Sequence, residues 1–410
     1  MSAVLNDTRQ HPSSEFIAGV RERYPVEPEI DRVLTRKMQG RSGAVFENIP
    51  LRQMEEATKA LIGKYYQGDF SVMNVRWLSG GASKIQMAFD FVSAEKNDQF
   101  EAGVVTPMVV RMEPAESVVE TSRKREFELL SLLKNKLPIP DCFWLDAEAE
   151  FYPYPALVYA FANGVVKPST VASKQVTGIG INFGPERREK LADQFVRHLA
   201  TLHTLPVFEE GVLPSFEKPV VGTNSSVIKQ INWWRRVWEE DRGADIPLLE
   251  VAYQWLVANA PSIETPSLVH GDYRSGNFLF DETSLDITAF LDWELALVGD
   301  RHQDLAWSTY KLFGHVAEDD KTHLVCGLLS EQEFFRRYED YSGLSVDKER
   351  LLYYRVLCNF MSVVHSLGTA YRAAKGGKTH QDIVITTFSK IGYMLLEQLR
   401  EYMEELTDAA

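Results

Sequence analysis

Cysteine is scarce in this 410-residue chain. The three cysteines, Cys142, Cys326 and Cys358, lie far apart, with no CxxC pair and no histidine at ligand spacing. That argues against a disulfide framework and a structural zinc site, and makes a reducing compartment the simplest setting. Basic charge is also short: 44 Lys+Arg face 58 Asp+Glu, for a net charge of −14. A surface of that sign lacks the surplus of cations a phosphate backbone needs, so nucleic acid is not an expected partner, while a local basic pocket stays compatible with it. Long apolar runs are missing. The uncharged stretch 151–166 contains Pro153, Pro155, Asn163 and Gly164, and falls short of the roughly 20 apolar residues of a membrane helix. The opening MSAVLNDTRQHPSSEF carries Asp7 and Arg9 where a signal peptide has its apolar core. The expectation is a cytoplasmic protein with no membrane partner. No repeat is present, and no pattern specifies an oligomeric state.

What is present is a globular composition, 45% hydrophobic, 25% charged and 11% aromatic, in a chain long enough for two or three packed lobes. Residues 1–47 read as a polar, mixed extension packed on the main body, with one short helix around Glu29–Met38. LRQMEEATKALIGKYY then repeats Leu51, Met54, Ala57, Leu61 and Tyr65 at helical spacing. From Ser71 the texture changes to short runs rich in Val, Phe and Ile: VMNVRWL, IQMAFDFV and VVTPMVVRM. Turns separate them, which predicts an antiparallel sheet. A charged helix, SRKREFELLSLLKNK, stops at Pro138 and Pro140, and ALVYAF is a further buried strand. Beyond it helices dominate, over 186–205, 226–241, 246–259 and from about 331 onward. PSLVHGDYRSGNFLFDETSLDITAFLDWELA interrupts them as strand, loop, strand, turn, strand. The reading is an α+β chain of three parts: an extension (1–47), a small antiparallel β lobe (48–162) and a larger, mainly helical lobe (163–410).

Chemistry concentrates in that interruption. His270-Gly271-Asp272-Tyr273-Arg274-Ser275-Gly276-Asn277 is followed by Asp292 in Leu291-Asp292-Trp293-Glu294. The turn 281–286 lets the strand before Asp292 pair with the strand after Asn277, so the three polar side chains converge at one end of a small sheet. A carboxylate and an amide oxygen are hard donors suited to Mg²⁺, which takes a few protein oxygens and completes its shell with phosphate and water. A second carboxylate beside them can accept a proton from an attacking hydroxyl.

The pattern HGDxxxxN…DWE resembles the aminoglycoside phosphotransferase (choline-kinase-like) superfamily, which has a bilobal protein-kinase-like fold. GDYRSGNFLFD and FLDWELALVGDRHQDLAW are most similar to the branch related to the kinase domain fused to some acyl-CoA dehydrogenases. The resemblance implies Asp272 as catalytic base and Asn277 and Asp292 as Mg²⁺ ligands. His270 then orients the loop, Asp300 and Asp304 hold its geometry, and Glu294 serves the metal, the substrate or the surface.

A phosphate clamp is expected in the first lobe. Gly80, Gly81 and Ser83 lie between two strands, where backbone N–H groups can approach phosphates; a plain Gly-Gly hairpin turn accounts for the same residues. Neither GxGxxG nor the Walker pattern is there, which disfavours a P-loop NTPase. The resemblance implies an ion pair between Arg111, where kinases usually have lysine, and Glu126, with Arg111 on the phosphates. It also implies an adenine site at the strand end Tyr159–Phe161. Trp233, Trp234 and Trp238 read as helical core. Arg235, Arg236, Arg372, Lys375 and Lys378 are candidates for an anionic substrate tail, the last three on a solvated connection. The implied activity is ATP- and Mg²⁺-dependent transfer of the γ-phosphate to a hydroxyl of a small molecule, for instance a hydroxyacyl-CoA. An aminoglycoside-type acceptor and a silent nucleotide-binding protein are the alternatives.

Overall fold

The computed structural model describes residues 7–78, 83–171, 178–207, 209, 211–380 and 385–408. Five strands form an antiparallel sheet in the order β1-β2-β3-β5-β4: β1 (Phe70–Trp77), β2 (Ile85–Ser93), β3 (Val105–Met112), β4 (Cys142–Asp146) and β5 (Ala156–Ala160). Alternation along β3 and β5 gives the sheet two different faces. Met108, Val110, Met112, Ala156 and Val158 point into a core closed by helix α3 (Leu51–Tyr65), which contributes Met54, Ala57, Leu61 and Ile62. Val109, Leu157 and Tyr159 form a small apolar patch on the opposite face with Leu78 and Leu145. Arg111 shares that face, because it pairs with Leu157 as Val109 pairs with Tyr159. Arg111 thus rises beside an apolar patch.

Helix α4 (Arg123–Leu133), capped by Ser122, turns Leu129, Leu130 and Leu133 away from the sheet core and into the core of the second lobe. That lobe is built on α5 (Pro185–Thr204), α6 (Ser225–Asp241), α7 (Pro247–Ala258), α8 (His302–Ser308), α9 (Glu331–Ser342), α10 (Lys348–Val363), α11 (Ala370–Gly376) and α12 (Phe388–Asp408). A π-helical segment, Val364–Thr369, joins α10 to α11. Two short antiparallel pairs sit among the helices. β6 (Ser267–Val269) pairs with β9 (Leu297–Gly299), and β7 (Phe278–Phe280) pairs with β8 (Ile287–Phe290). The tryptophans of α6 are core, as expected: Trp233, Trp234 and Trp238 are buried, with the first two stacked.

The extension is more than a polar tail. It forms two helices, α1 (Ser14–Arg23) and α2 (Pro28–Gly40), and two of its charges, Lys37 and Arg41, are buried among partners. Lys37 bonds both oxygens of Asp241 at 3.1 Å and meets Glu240 at 2.9 Å. Arg41 reaches Glu116, between β3 and α4, at 3.0 Å and Asp241 in α6 at 2.6 Å. One guanidinium therefore ties the first lobe to the second.

The cations expected on a solvated connection are spent elsewhere. Arg372 is buried, donating to Asp7 and to the carbonyls of Asp241 and Arg242, and Lys375 also meets Asp7. Lys378 donates to the carbonyls of Gly43 and Ala44. Arg235 pairs with Glu239 and Glu250, and Arg236 with Glu240 and Asp31. Arg235 ties α6 to α7, the other four close the extension onto α6 and the region of α11, and none of the five forms a basic entrance.

Candidate functional site

The loop after β6 is held from beneath. At Gly271 the backbone takes φ +84°, and a Cβ there would meet the carbonyl oxygen of Leu295 at 2.5 Å. Only glycine fits that approach. Asp304 accepts the N–H groups of His270 at 2.7 Å and of Gly271 at 2.8 Å. His270 Nδ1 accepts the N–H of Asp272 at 3.2 Å, while Nε2 lies 3.1 Å from the carbonyl of Leu291. A backbone N–H can only donate and a carbonyl only accept, so the ring is the Nε2–H tautomer and splints the loop. Asp300 caps α8 through His302 and binds Arg350, again a structural part.

On this splint Asn277 bonds Asp272, and Asp292 lies within reach of the Asp272 charge. Asn277 ends a short 3₁₀ turn just before β7, and its carbonyl accepts the N–H of Leu291 at the end of the partner strand. Asn277 Nδ2 donates to Asp272 Oδ2 at 2.6 Å and to the Asp272 carbonyl at 2.9 Å, leaving its amide oxygen for another partner. Asp272 Oδ1 accepts from Arg274 Nε at 2.8 Å and from Trp307 Nε1 at 2.6 Å. Asp292 adopts the left-handed conformation, φ 66° and ψ 52°. Such a non-glycine residue is uncommon and marks a local constraint. Its carboxylate receives Arg111 from the sheet lobe, so the interface between lobes runs through it.

Around Arg111 lies a buried cluster that the sequence reading only half anticipated. The Arg111–Glu126 pair is present at 3.6 Å. Glu294, left open between metal and surface, is the hub: it accepts from Arg111 at 2.7 Å and Ser83 Oγ at 2.8 Å, and meets Lys84 at 3.2 Å and Arg123 at 3.4 Å. Lys84, Arg123 and Glu113 were not singled out at all, yet all three are buried here, with Arg123 bridging Glu113 and Glu126. Burial opposes ionisation of Glu294, but the Lys84, Arg111 and Arg123 cations outweigh it and hold its carboxyl well below the usual range. Burial and the neighbouring Glu294 charge push Asp292 upward, against the pull of Arg111.

The remaining expected residues fall as follows. Gly80 and Gly81 lie outside the described residues. Ser83 adjoins the cluster, bonding Ser117 as well as Glu294. Tyr159 is buried in the apolar patch below Arg111, and burial raises its hydroxyl to about 12. Phe161 is 38% exposed, its N–H bonded to the Pro107 carbonyl. Arg274 and Trp307, the two donors on Asp272, were not expected from the sequence.

The donor set fits a magnesium ion shared with phosphates. Among the described residues no group of three or more His, Cys, Asp and Glu could hold a metal alone, but a hard cation with phosphate oxygens asks for only one or two carboxylates. Asp292 and the amide oxygen of Asn277 supply such donors. The cluster also sets four carboxylates, Glu113, Glu126, Asp292 and Glu294, against the three cations Lys84, Arg111 and Arg123. A divalent cation would offset the surplus negative charge.

Comparison with known proteins gives a consistent picture. The family model for the phosphotransferase enzyme family, APH, matches residues 91–322. Acyl-CoA dehydrogenase family member 10 of Mus musculus is 25% identical over 242 residues, covering 56% of this chain and 21% of that protein. Acyl-CoA dehydrogenase family member 11 of Gallus gallus is 35% identical over 86 residues, covering 21% of this chain and 11% of that protein. The chain thus spans about a fifth or less of the length of these relatives. The crystal structure of a protein from Ralstonia eutropha JMP134, assigned by name to the aminoglycoside phosphotransferases, superposes with a TM-score of 0.60 at 20% identity. It covers 87% of this chain and 99% of that one. The fold is the bilobal kinase-like one, an antiparallel β lobe followed by a helical lobe.

Proposed function

This chain belongs to the phosphotransferase enzyme family, and from that premise we propose that it moves the γ-phosphate of ATP, with Mg²⁺, to a hydroxyl of a small molecule. The observation that carries the reading is the bond of Asn277 to Asp272, with Asp292 within reach of the Asp272 charge and paired to Arg111 across the lobe interface. Asp272 orients the acceptor hydroxyl and takes its proton. The hydroxyl oxygen bonds the γ-phosphorus as the bond to the bridging oxygen of ADP breaks. Arg111, steadied by Glu126, and the N–H groups around Gly80, Gly81 and Ser83 bind phosphate oxygens. The patch of Val109, Leu157 and Tyr159, with the strand end at Phe161, takes the adenine. Asn277 and Asp292 would hold Mg²⁺, whose charge offsets that of the phosphates. Positioning and charge stabilisation then supply most of the rate, with no covalent intermediate on the protein.

For the acceptor we favour a hydroxyacyl-CoA-type metabolite, on the ground that both relatives named above are acyl-CoA dehydrogenase family members. An aminoglycoside-type acceptor is the second reading, favoured by the name of the structural neighbour. A silent nucleotide-binding protein is disfavoured because all three key side chains are retained. The deciding experiment is an ATP-consumption screen over hydroxyacyl-CoAs, simple alcohols and aminoglycosides, with and without Mg²⁺. Turnover with a hydroxyacyl-CoA is expected, and Asp272→Ala and Asp292→Ala should each abolish it while leaving the thermal transition cooperative. Normal turnover by either variant would refute the site.

A further inference from the structure

α8 meets the loop that carries Asp272 with a single face. Positions 304, 307 and 308 follow the i, i+3, i+4 spacing that places side chains on one side of a helix. They engage the loop residues in order. Asp304 accepts the N–H groups of His270 and Gly271, Trp307 donates to the side chain of Asp272, and Ser308 Oγ donates to the carbonyl of Tyr273 at 2.7 Å. The outer two contacts hold backbone. The middle one touches the reacting carboxylate itself.

An ionised carboxylate has about four acceptor sites, two on each oxygen. On Asp272 three are taken. Oδ1 has both of its sites filled, by Arg274 Nε at 2.8 Å and Trp307 Nε1 at 2.6 Å, whereas Oδ2 receives only Asn277 Nδ2 at 2.6 Å. Indole is a donor and nothing else, and Trp307 is buried to 7% exposure against Tyr310 and Phe313, so it neither swings away nor changes role. Arg274 is likewise fixed, over the ring of Phe313.

We propose that Trp307 is a positioning residue that closes Oδ1 of Asp272 and reserves Oδ2 as the one oxygen open to the acceptor hydroxyl. This rests on the reading of Asp272 as the base. Without the indole N–H, Oδ1 regains a free site and the carboxylate can turn about its broad terminal torsion. An acceptor hydroxyl then binds either oxygen, and only one orientation reacts. Binding is nearly preserved and turnover falls.

Two substitutions separate geometry from bulk. Trp307→Phe removes the N–H and part of the volume. Site-specific benzothienylalanine at position 307 keeps the bicyclic shape and carries sulfur in place of N–H. With ATP, Mg²⁺ and hydroxybutyryl-CoA, both should lower kcat by about 10-fold, the effect of one hydrogen bond to a charged group, with KM for each substrate changed by less than about 2-fold. Unaltered kcat in the benzothienylalanine protein overturns the proposal and leaves the kinase reading standing. Absence of turnover in the unsubstituted protein counts against that reading instead. The contact is then decided by nitrogen-edited proton NMR, in which the Trp307 indole signal, identified by its loss in Trp307→Phe, should move upfield in Asp272→Ala. An indole signal that stays in place sinks the proposal without reference to activity.

Discussion

Asp241 shows how far a single buried charge depends on its neighbours. Burial alone would raise its carboxyl, but Lys37 and Arg41 outweigh that and bring it from the ordinary 3.8 down to about 2. A depressed folded value means that the contribution to stability is present above the unfolded value and is lost as pH falls through the folded one. The protein should therefore lose about 2 kcal/mol from this group alone between pH 4 and pH 2. Urea denaturation at stepped pH checks this, since Asp241→Asn should be less stable at neutral pH and flatter across that window. At the same scale, part of the site could be read directly and part could not. Asp272, Asn277 and Asp292 stood out because their spacing carries a chemical pattern. Lys84 and Glu113 did not, because charged residues are seldom buried and only partners distant in sequence reveal the exception. Trp307 was visible in DLAW, yet nothing local tells a core tryptophan from one whose N–H is committed to a carboxylate.

Elements were legible where side-chain periodicity was strong. β2, β3, β5, α3 and α5 follow their apolar patterns, and the β7–β8 hairpin follows from its turn. β4 was missed because CFWLD alternates poorly between two prolines and a loop. The three-stranded sheet of β10 (His315–Val316), β11 (His323–Val325) and β12 (Leu329–Ser330) was missed because strands of two or three residues carry no period. α1 buries no residue, and its apolar set is only Phe16, Ile17 and Val20, too short a stripe to set a period. One element leaves no slack at all, the turn from β6 into the loop. Gly271→Ala should destabilise the protein by about 1–3 kcal/mol, since a Cβ meets the Leu295 carbonyl in a left-handed conformation. Turnover should fall with it, because the displaced backbone carries Asp272. Calorimetry paired with the ATP assay checks both.

At the scale of the whole molecule, the two-lobed plan and an extension packed on the main body were expected, and the buried charges that hold that extension were not. Charge patterning identified the first forty-odd residues as polar, but not which of their charges are buried. Here Lys37, Arg41, Glu116, Glu240 and Asp241 are all nearly inaccessible and paired with one another. Removing one member of such a set strands the others, at a cost of about 3–5 kcal/mol. Arg41→Met should show that loss in urea unfolding even though methionine fills much of the same space. A loss below about 1 kcal/mol, typical of an exposed pair, would mean the charges are hydrated in solution.

The same knot constrains the order of assembly during synthesis. Its members come from residues 37–41, 116 and 240–241, and Thr369 Oγ1 and Arg372 complete it by bonding Asp241. None of these charges can leave water until its counterparts arrive. α2 therefore waits to complete its docking until α6 and α11, which lie far along the chain, have been made. Residues 37–41 are thus made well before Thr369 and Arg372, and settle into place only after them.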